Sequence, residues 1–290
     1  MKKITLILSA AAIVCTMGLT SCKKKTTTEI SGCTDPNAFN YNKDAKTNDG
    51  SCQFAQTDVK VAIYDVTGLW CHVCGELGIP VFDQVNEDMK GTVVPFSVHS
   101  GDAFSSAGGD ALLAAYLKTT SVPSFGVGSC SAGLIPCYTP KSSGVSQLKA
   151  KINPVLGKDC IVGASMQKVL NGNTLTVTTN TKFMIPQTGT EYYMATYILE
   201  SGLVADQITD HGTISMTHNH VIRHCFNTTS VYGDLIGGAA GAATPTGAIT
   251  KTWTKTIPAT WKAANLSIAT IIFYKDAQGK MQFENANILE

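Results

Sequence analysis

The chain has 290 residues, of which 44% are hydrophobic and 15% charged, a composition typical of a globular protein with room for two domains. Its formal net charge is +1 at pH 7. A near-neutral surface argues against nucleic acid as a partner, because phosphate backbones are bound by clusters of positive charge.

The first segment has the pattern of a lipoprotein signal peptide. Lys2 and Lys3 are followed by an apolar run over residues 4–20, which is too short for a comfortable transmembrane span. The run ends in Leu19-Thr20-Ser21-Cys22, which resembles the lipobox of bacterial lipoproteins. We expect residues 1–21 to be removed and Cys22 to carry acyl chains that anchor the protein to a membrane. The alternative is an ordinary cleaved signal with a chance Cys.

Residues 22–31 read as a lipid-anchored tether with a short basic run at Lys23, Lys24 and Lys25. No Asp follows Cys22 directly. In enteric bacteria that Asp keeps a lipoprotein in the inner membrane, so we expect outer-membrane placement, on either face.

Residues 32–54 form a small module rich in Asn, Asp and Gly. Its few apolar residues cannot hold a fold by burial, so a Cys33–Cys52 bridge is the expected staple. Asp35, Asp44 and Asp49 are candidate calcium ligands, because calcium takes hard oxygen donors. The spacing is not that of an EF-hand loop, and we favour a role for these residues in turns.

The remaining sequence predicts two domains. Residues 57–158 alternate strand-like and helix-like runs and predict an α/β unit. Residues 159–290 contain short runs rich in Thr, Val, Ile and Tyr between turn residues, which predict an all-β antiparallel sandwich of immunoglobulin-like type.

Without Cys15 in the signal and the lipidated Cys22, eight cysteines remain, an even number that makes disulfides the default in an exported chain. The spacing suggests the pairs Cys33 with Cys52, Cys71 with Cys74, Cys130 with Cys137, and Cys160 with Cys225. Connectivity cannot be deduced from sequence alone, and only the Cys71–Cys74 pair has a strong argument.

The Cys71-His72-Val73-Cys74 motif follows an apolar strand and a Thr67-Gly68 turn, so a helix is expected to begin there. At a helix N-terminus the free backbone N–H groups favour a thiolate, which is the form that attacks disulfides. Cys71 is the expected exposed nucleophile and Cys74 the buried resolving thiol.

Other features resemble thioredoxin-fold proteins. Asp65 lies six residues before Cys71, where thioredoxin has a buried acid, so by resemblance it is the candidate base for Cys74. Residues 112–125 look like the helix and cis-proline segment of that fold, which makes Pro123 the cis-proline and Val122 the residue whose backbone pairs with substrate. Residues 144–156 can supply the closing helix.

Several alternatives stay open for the motif. An imidazolium at His72 would lower the pKa of Cys71 and make the site more oxidising, or His72 is a solvated helix-start residue. A second interpretation is that the motif supplies half of a zinc site, which Cys130 and Cys137 or a His would complete. Asp65 and Pro123 would have no role in such a site. A third reading is an inert structural disulfide.

Two segments add a closer resemblance. Residues 93–104, with His99-Ser100-Gly101-Asp102, and residues 218–223 together with the CxxC turn are similar to the outer membrane protein 28 family of Gram-negative lipoproteins. That family implies a thioredoxin-like domain followed by a β-sandwich, over Val59 to the C-terminus. His99 and Asp102 either border the active-site groove or cap a strand and a helix.

A single strand over residues 217–226 would put His218, His220 and His224 on one face. Three His there could bind zinc or copper, but a surface or structural role is more common.

The sequence therefore predicts a membrane-anchored thiol–disulfide oxidoreductase-like lipoprotein acting on exported proteins that bear thiols or disulfides, with no cofactor unless calcium binds the small module. The alternative is an outer-membrane lipoprotein that binds a partner through its sandwich and keeps the CxxC as a structural or vestigial disulfide.

Overall fold

The computed structural model describes residues 29–36, 38–129, 135–136 and 140–290. The signal peptide, Cys22, Cys130 and Cys137 lie outside the described residues, so the predictions made for them stay predictions. In the described part, no helix has the length and apolar composition needed to cross a membrane.

The small N-terminal module is held by the Cys33–Cys52 disulfide, the pairing that the spacing suggested, with a Cα–Cα distance of 4.7 Å. Strand β1, Ser31–Gly32, pairs in parallel with β2, Thr47–Asn48. Polar side chains accept from nearby backbone N–H groups, as when Asp49 Oδ1 accepts from Ser51 N at 2.9 Å. These contacts place Asn and Asp in turns, the role favoured from the sequence.

The next part of the chain combines parallel strands with helices. Its strands are β3 (Val61–Thr67), β4 (Val93–His99), β5 (Ser124–Val127) and β6 (Ile135–Pro136). A π-helical turn, Cys74–Gly78, continues into α1 (Ile79–Asp88), α2 (Ala107–Leu112) continues into a second π-turn (Leu113–Leu117), and α3 is Lys141–Leu156. Because β3 and β4 run parallel, the chain must cross over between them, and α1 lies in that connection.

The rest of the chain is almost entirely β-structure. Its strands are β7 (Val162–Asn171), β8 (Thr174–Phe183), β9 (Tyr192–Glu200), β10 (Leu203–Thr209), β11 (Gly212–His218), β12 (Val221–Cys225), β13 (Asp234–Gly237), β14 (Ile249–Thr256), β15 (Leu266–Lys275) and β16 (Met281–Leu289). Short 3₁₀ turns occur at Ala239–Gly241 and Ala263–Asn265.

The two halves share one nine-stranded sheet, with the order β16-β15-β9-β12-β4-β3-β5-β6 and β13 beside β9. The junction is short: Val221 of β12 pairs in parallel with Ser97 of β4, and Ser97 N donates to His220 O at 2.9 Å. We expected the second half to form a sandwich of its own, yet five of its strands belong to the same sheet as the strands of the first half: β9, β12, β13, β15 and β16. Every residue of β4 is buried, and such a strand cannot be left as an open edge.

A separate three-stranded sheet, β14-β8-β7, packs on one face of the large sheet. Val162 and Ala164 of β7 lie in a cluster with Met194 and Ile272, and Val177 of β8 lies in a neighbouring cluster with buried side chains of β9 and β15. The antiparallel character predicted for this half is thus present.

The largest hydrophobic cluster draws on both halves of the chain. Phe96 of β4 stacks on Tyr64 of β3 and meets Tyr197 of β9 edge to face, each with ring centroids 5.6 Å apart. Tyr116 meets Phe273 of β15 at 5.0 Å. Aromatic pairs of this geometry add about 0.5–1.5 kcal/mol each beyond their burial. The core therefore couples residues 57–158 to residues 159–290.

The expected Cys160–Cys225 disulfide is wrong, because both residues are free thiols. Cys160 precedes β7 and accepts from Asn285 Nδ2 at 3.4 Å, whereas Cys225 ends β12 and packs on Gly108 of α2. Burial raises the pKa of the Cys160 thiol to about 11 and also raises that of Cys225. Cys160 precedes a strand of the three-stranded sheet and Cys225 ends a strand of the nine-stranded sheet, an arrangement that sequence spacing cannot reveal.

Candidate functional site

The Cys71–Cys74 pair forms a disulfide at the start of a helix, with a Cα–Cα distance of 5.2 Å. The backbone becomes helical at His72, and Cys74 N donates to Cys71 Sγ at 3.1 Å. An N–H group aimed at a sulfur in the first helical turn favours negative charge there. The site therefore has the local geometry in which Cys71 can carry a thiolate when the disulfide is reduced.

The prediction of an exposed Cys71 is wrong: the residue is 5% exposed, and Cys74 is fully buried. Trp70, directly before the motif, is 51% exposed, and its Nε1 donates to Ser100 O at 2.9 Å. The physical reason for the burial of Cys71 lies more than a hundred residues further along the chain.

The hairpin formed by β10 and β11 packs on the turn that carries Cys71. Gln207 of β10 is fully buried, and its Nε2 donates to Cys71 O at 2.9 Å and to Gly68 O at 3.2 Å. Ile208 N donates to Leu69 O at 3.0 Å. A Cβ on Gly75 would lie 2.7 Å from the Gln207 side chain, so glycine permits this close approach.

The tip of the hairpin pairs with the residues inside and after the motif. His72 Nδ1 and Asp210 Oδ1 are 2.5 Å apart, both on half-exposed side chains. His211 Nε2 lies 4.0 Å from Glu76 Oε1. His72 is thus neither a lone cation beside Cys71 nor a freely solvated residue, because it has an acidic partner on a distant segment.

A cis-proline lies near the helical turn that carries Cys74. The Val122–Pro123 peptide bond is cis, as the sequence predicted. A Cβ on Gly78 would lie 2.9 Å from Pro123 Cβ and 3.8 Å from Cys74 Cβ. The cis-proline and Cys74 therefore border the same helical turn.

Asp65 lies in the middle of β3, between Ser97 of β4 and Phe125 of β5, and is 1% exposed. Among the described residues, its Oδ1 has no hydrogen-bond partner. Burial, with a smaller contribution from the charge of Asp83, raises the pKa of Asp65 to about 8. An acid with that pKa can give and take a proton near neutral pH.

His99 and Asp102 position the motif from the end of β4. Asp102 Oδ2 contacts His99 Nδ1 at 2.8 Å and accepts from Leu69 N at 2.8 Å, while its Oδ1 accepts from Phe104 N. Asp102 therefore ties the loop after β4 to the turn before Cys71. The His99 ring also meets that of His218 at the base of the hairpin, with centroids 5.2 Å apart.

The three histidines proposed as a possible metal face do not share a strand. His218 ends β11, His220 lies in a turn with φ of 54°, and His224 follows an irregularity in β12. Within the described ranges, no group of three or more His, Cys, Asp or Glu side chains could hold a metal ion. The prediction of a single strand is wrong because the chain turns at Asn219–His220.

Sequence reasoning missed Gln207 and Asp210, which the structure brings to the disulfide. The Asp210-His211-Gly212 turn between two β-rich runs is a recognisable hairpin signal. No local pattern states which surface that hairpin covers.

Comparisons with known proteins give structural likeness at low sequence identity. No protein-family model matches the chain, and no curated protein matches it either. HBP35 of Porphyromonas gingivalis has a TM-score of 0.60 and 14% identity, over 81% of this chain and 76% of that one. A domain of the outer membrane lipoprotein Omp28 from the same organism has a TM-score of 0.31 and 16% identity, over 45% of this chain and 88% of that one. The likeness to HBP35 shows a related fold.

Proposed function

We propose that this protein is a lipid-anchored thiol–disulfide exchange protein with a thioredoxin-like active site. The observation that carries the proposal is the Cys71–Cys74 disulfide at a helix start, with Cys74 N donating to Cys71 Sγ at 3.1 Å. The buried Asp65, with its raised pKa, supports it, because an inert staple needs no such acid.

The exchange proceeds in two steps. A partner thiolate attacks Cys71 Sγ, the Cys71–Cys74 bond breaks, and Cys74 leaves with the electron pair and takes a proton, for which Asp65 is the proposed source. The second thiolate of the partner then attacks the mixed disulfide, which releases Cys71 and leaves the partner oxidised by two electrons. The reverse sequence oxidises the dithiol and reduces a partner disulfide.

The proposed substrates are exported proteins with thiols or disulfides, since Cys22 would hold the site outside the cytoplasm. Outer-membrane anchoring, membership of the outer membrane protein 28 family, and a sandwich architecture for the C-terminal half are parts of the same proposal. They rest on the sequence pattern around Cys22, the CxxC turn and the antiparallel sheets.

A Cys74→Ser variant tests the function. It leaves Cys71 unable to resolve a mixed disulfide, so intermolecular disulfides with exported proteins should accumulate and disappear on reduction. Cys71→Ser is the matched control and should trap far fewer partners. The reduction potential of the pair supplies the second measurement: a value above about −300 mV fits exchange, and a lower value fits a structural bridge.

The second candidate is a partner-binding lipoprotein with a structural disulfide. The observation that favours it is the 5% exposure of Cys71, with Gln207 packed on its turn. Absence of trapped partners with Cys74→Ser, combined with a potential below about −300 mV, would select this candidate.

A further inference from the structure

The hairpin β10–β11 contacts the motif and the residues around it through its middle, its tip and its base. At its middle, Gln207 Nε2 donates to Cys71 O and Gly68 O. At its tip, Asp210 pairs with His72. At its base, His218 packs on His99 and Phe104, with ring centroids 5.2 and 5.3 Å apart. These attachments hold the hairpin on the turn that carries Cys71, which is 5% exposed.

The hairpin is built as a separate unit. Its two strands pair with each other from Leu203–His218 to Thr209–Gly212 and form a sheet of their own. Its outer face is exposed, with Val204 at 66% and Ile208 at 43%. Moving it away from the helix therefore breaks only the contacts on its inner face, and a two-stranded ribbon is marginal without such contacts.

Both ends of the hairpin have the backbone geometry of a sharp turn. Gly202 has φ of 70° before β10, and His220 has φ of 54° after β11. Gly202 N donates to Asn219 Oδ1 at 3.0 Å, and His220 N donates to Ser201 Oγ at 3.0 Å, which ties the two ends together. A hairpin fixed at its base and held by a few polar contacts at its middle and tip can swing about that base.

We propose that the β10–β11 hairpin is a hinged cover over Cys71, and that Gln207 is the positioning residue that holds it closed. If the protein exchanges disulfides as proposed above, a partner must displace the hairpin before its thiolate reaches Cys71 Sγ. The cover then selects partners by access to the sulfur, while the stability of the disulfide itself is set by the helix start.

The test measures how fast dithiothreitol reduces the Cys71–Cys74 disulfide in the full-length protein. One dithiothreitol thiolate attacks Cys71, Cys74 leaves and is protonated, and the second closes the reagent into a cyclic disulfide. Gln207→Met keeps the length of the side chain and removes its amide donors, so reduction of the disulfide should become about tenfold faster. Asp210→Asn loosens only the tip, so the rate should rise by a smaller factor, about two- to fivefold.

Two controls separate a cover from a general loss of structure. Asp206→Asn changes an exposed acid on the same strand and should leave the rate unchanged. The reduction potential of Gln207→Met should stay at the parental value, because a cover alters access in both directions equally. Folding is monitored by circular dichroism, and Asp210→Asn, at a half-exposed position, serves where Gln207→Met fails to fold.

Parental reduction rates in both folded variants would overturn the cover. A changed potential with an unchanged rate would also overturn it, since Gln207 would then act on the chemistry of the disulfide. Neither result depends on trapped partners, so failure of the cover and failure of the exchange function are distinguishable.

Discussion

Replacing Asp65 by Asn tests the buried acid at the centre of the sheet. The carboxyl is 1% exposed, and its pKa is raised by burial from 3.8 to about 8. Asn has nearly the same shape and carries no charge at any pH. The variant therefore removes the ionisation of Asp65 and leaves the packing of β3 in place.

The sign of the effect follows from the two pKa values. Because the pKa of folded Asp65 is above that of the unfolded chain, the folded state holds this proton more tightly. The associated stability is fully present below about pH 4 and is lost as pH rises towards 8. Each pKa unit corresponds to about 1.4 kcal/mol, so between pH 5 and pH 7 the parental protein loses about 3 kcal/mol relative to Asp65→Asn.

The assay is urea unfolding of the oxidised full-length protein and of the variant at pH 5, 6 and 7, followed by fluorescence of the three tryptophans. The quantity of interest is the difference in unfolding free energy at each pH, because the other titrating groups are common to both proteins. Asp206→Asn, on the exposed face of β10, is the matched control and should show a constant difference.

A difference between parent and Asp65→Asn that stays constant from pH 5 to pH 7 would refute the reasoning, because it would mean that Asp65 titrates alike in the folded and unfolded chains. The same variant also tests the proposed proton transfer. Reduction of the disulfide should slow down, since Cys74 would leave without its proton donor, and an unchanged rate would remove Asp65 from the exchange step.

The remaining predictions concern His218 and the small module. Burial, with His99 as a smaller cause, lowers the pKa of His218 from 6.5 to about 4, so the folded protein favours the neutral imidazole. The free energy of unfolding should therefore fall by about 3 kcal/mol as pH drops from 6.5 to 4. His218→Gln should lose this part of the pH dependence, as measured by urea unfolding. An equal fall in parent and variant would contradict the prediction. Cys52→Ser removes the disulfide that joins two residues 19 positions apart and should lower the stability of the module by about 3 kcal/mol. The measurement is limited proteolysis, with cleavage expected only within residues 29–54. Equal resistance of parent and variant would contradict this prediction.

Much of the candidate site could be read from consecutive residues. A strand, a Thr67-Gly68 turn and a CxxC predict a disulfide at a helix start, and the structure has one there. The Cys33–Cys52 staple was predictable from spacing along a short stretch of chain, and the buried Asp65 and the cis bond before Pro123 followed from the resemblance to thioredoxin-fold proteins.

Other features depended on contacts between distant segments. The alternation in β9, β12 and β15 predicts strands, yet it does not say that they extend the sheet of β3 and β4. The unpaired Cys160 and Cys225, and the burial of Cys71 under Gln207, follow from that arrangement.

The sequence by itself determined the Cys71–Cys74 disulfide at a helix start and many of the strands and helices around it, because turns, helix starts and small disulfide loops are formed by neighbouring residues. Only the tertiary structure decided how many strands share the sheet and which hairpin covers the disulfide. The physical reason is that a strand's hydrogen-bonding edge and a hairpin's apolar face accept many partners, and the choice among them is made by the packing of the whole core.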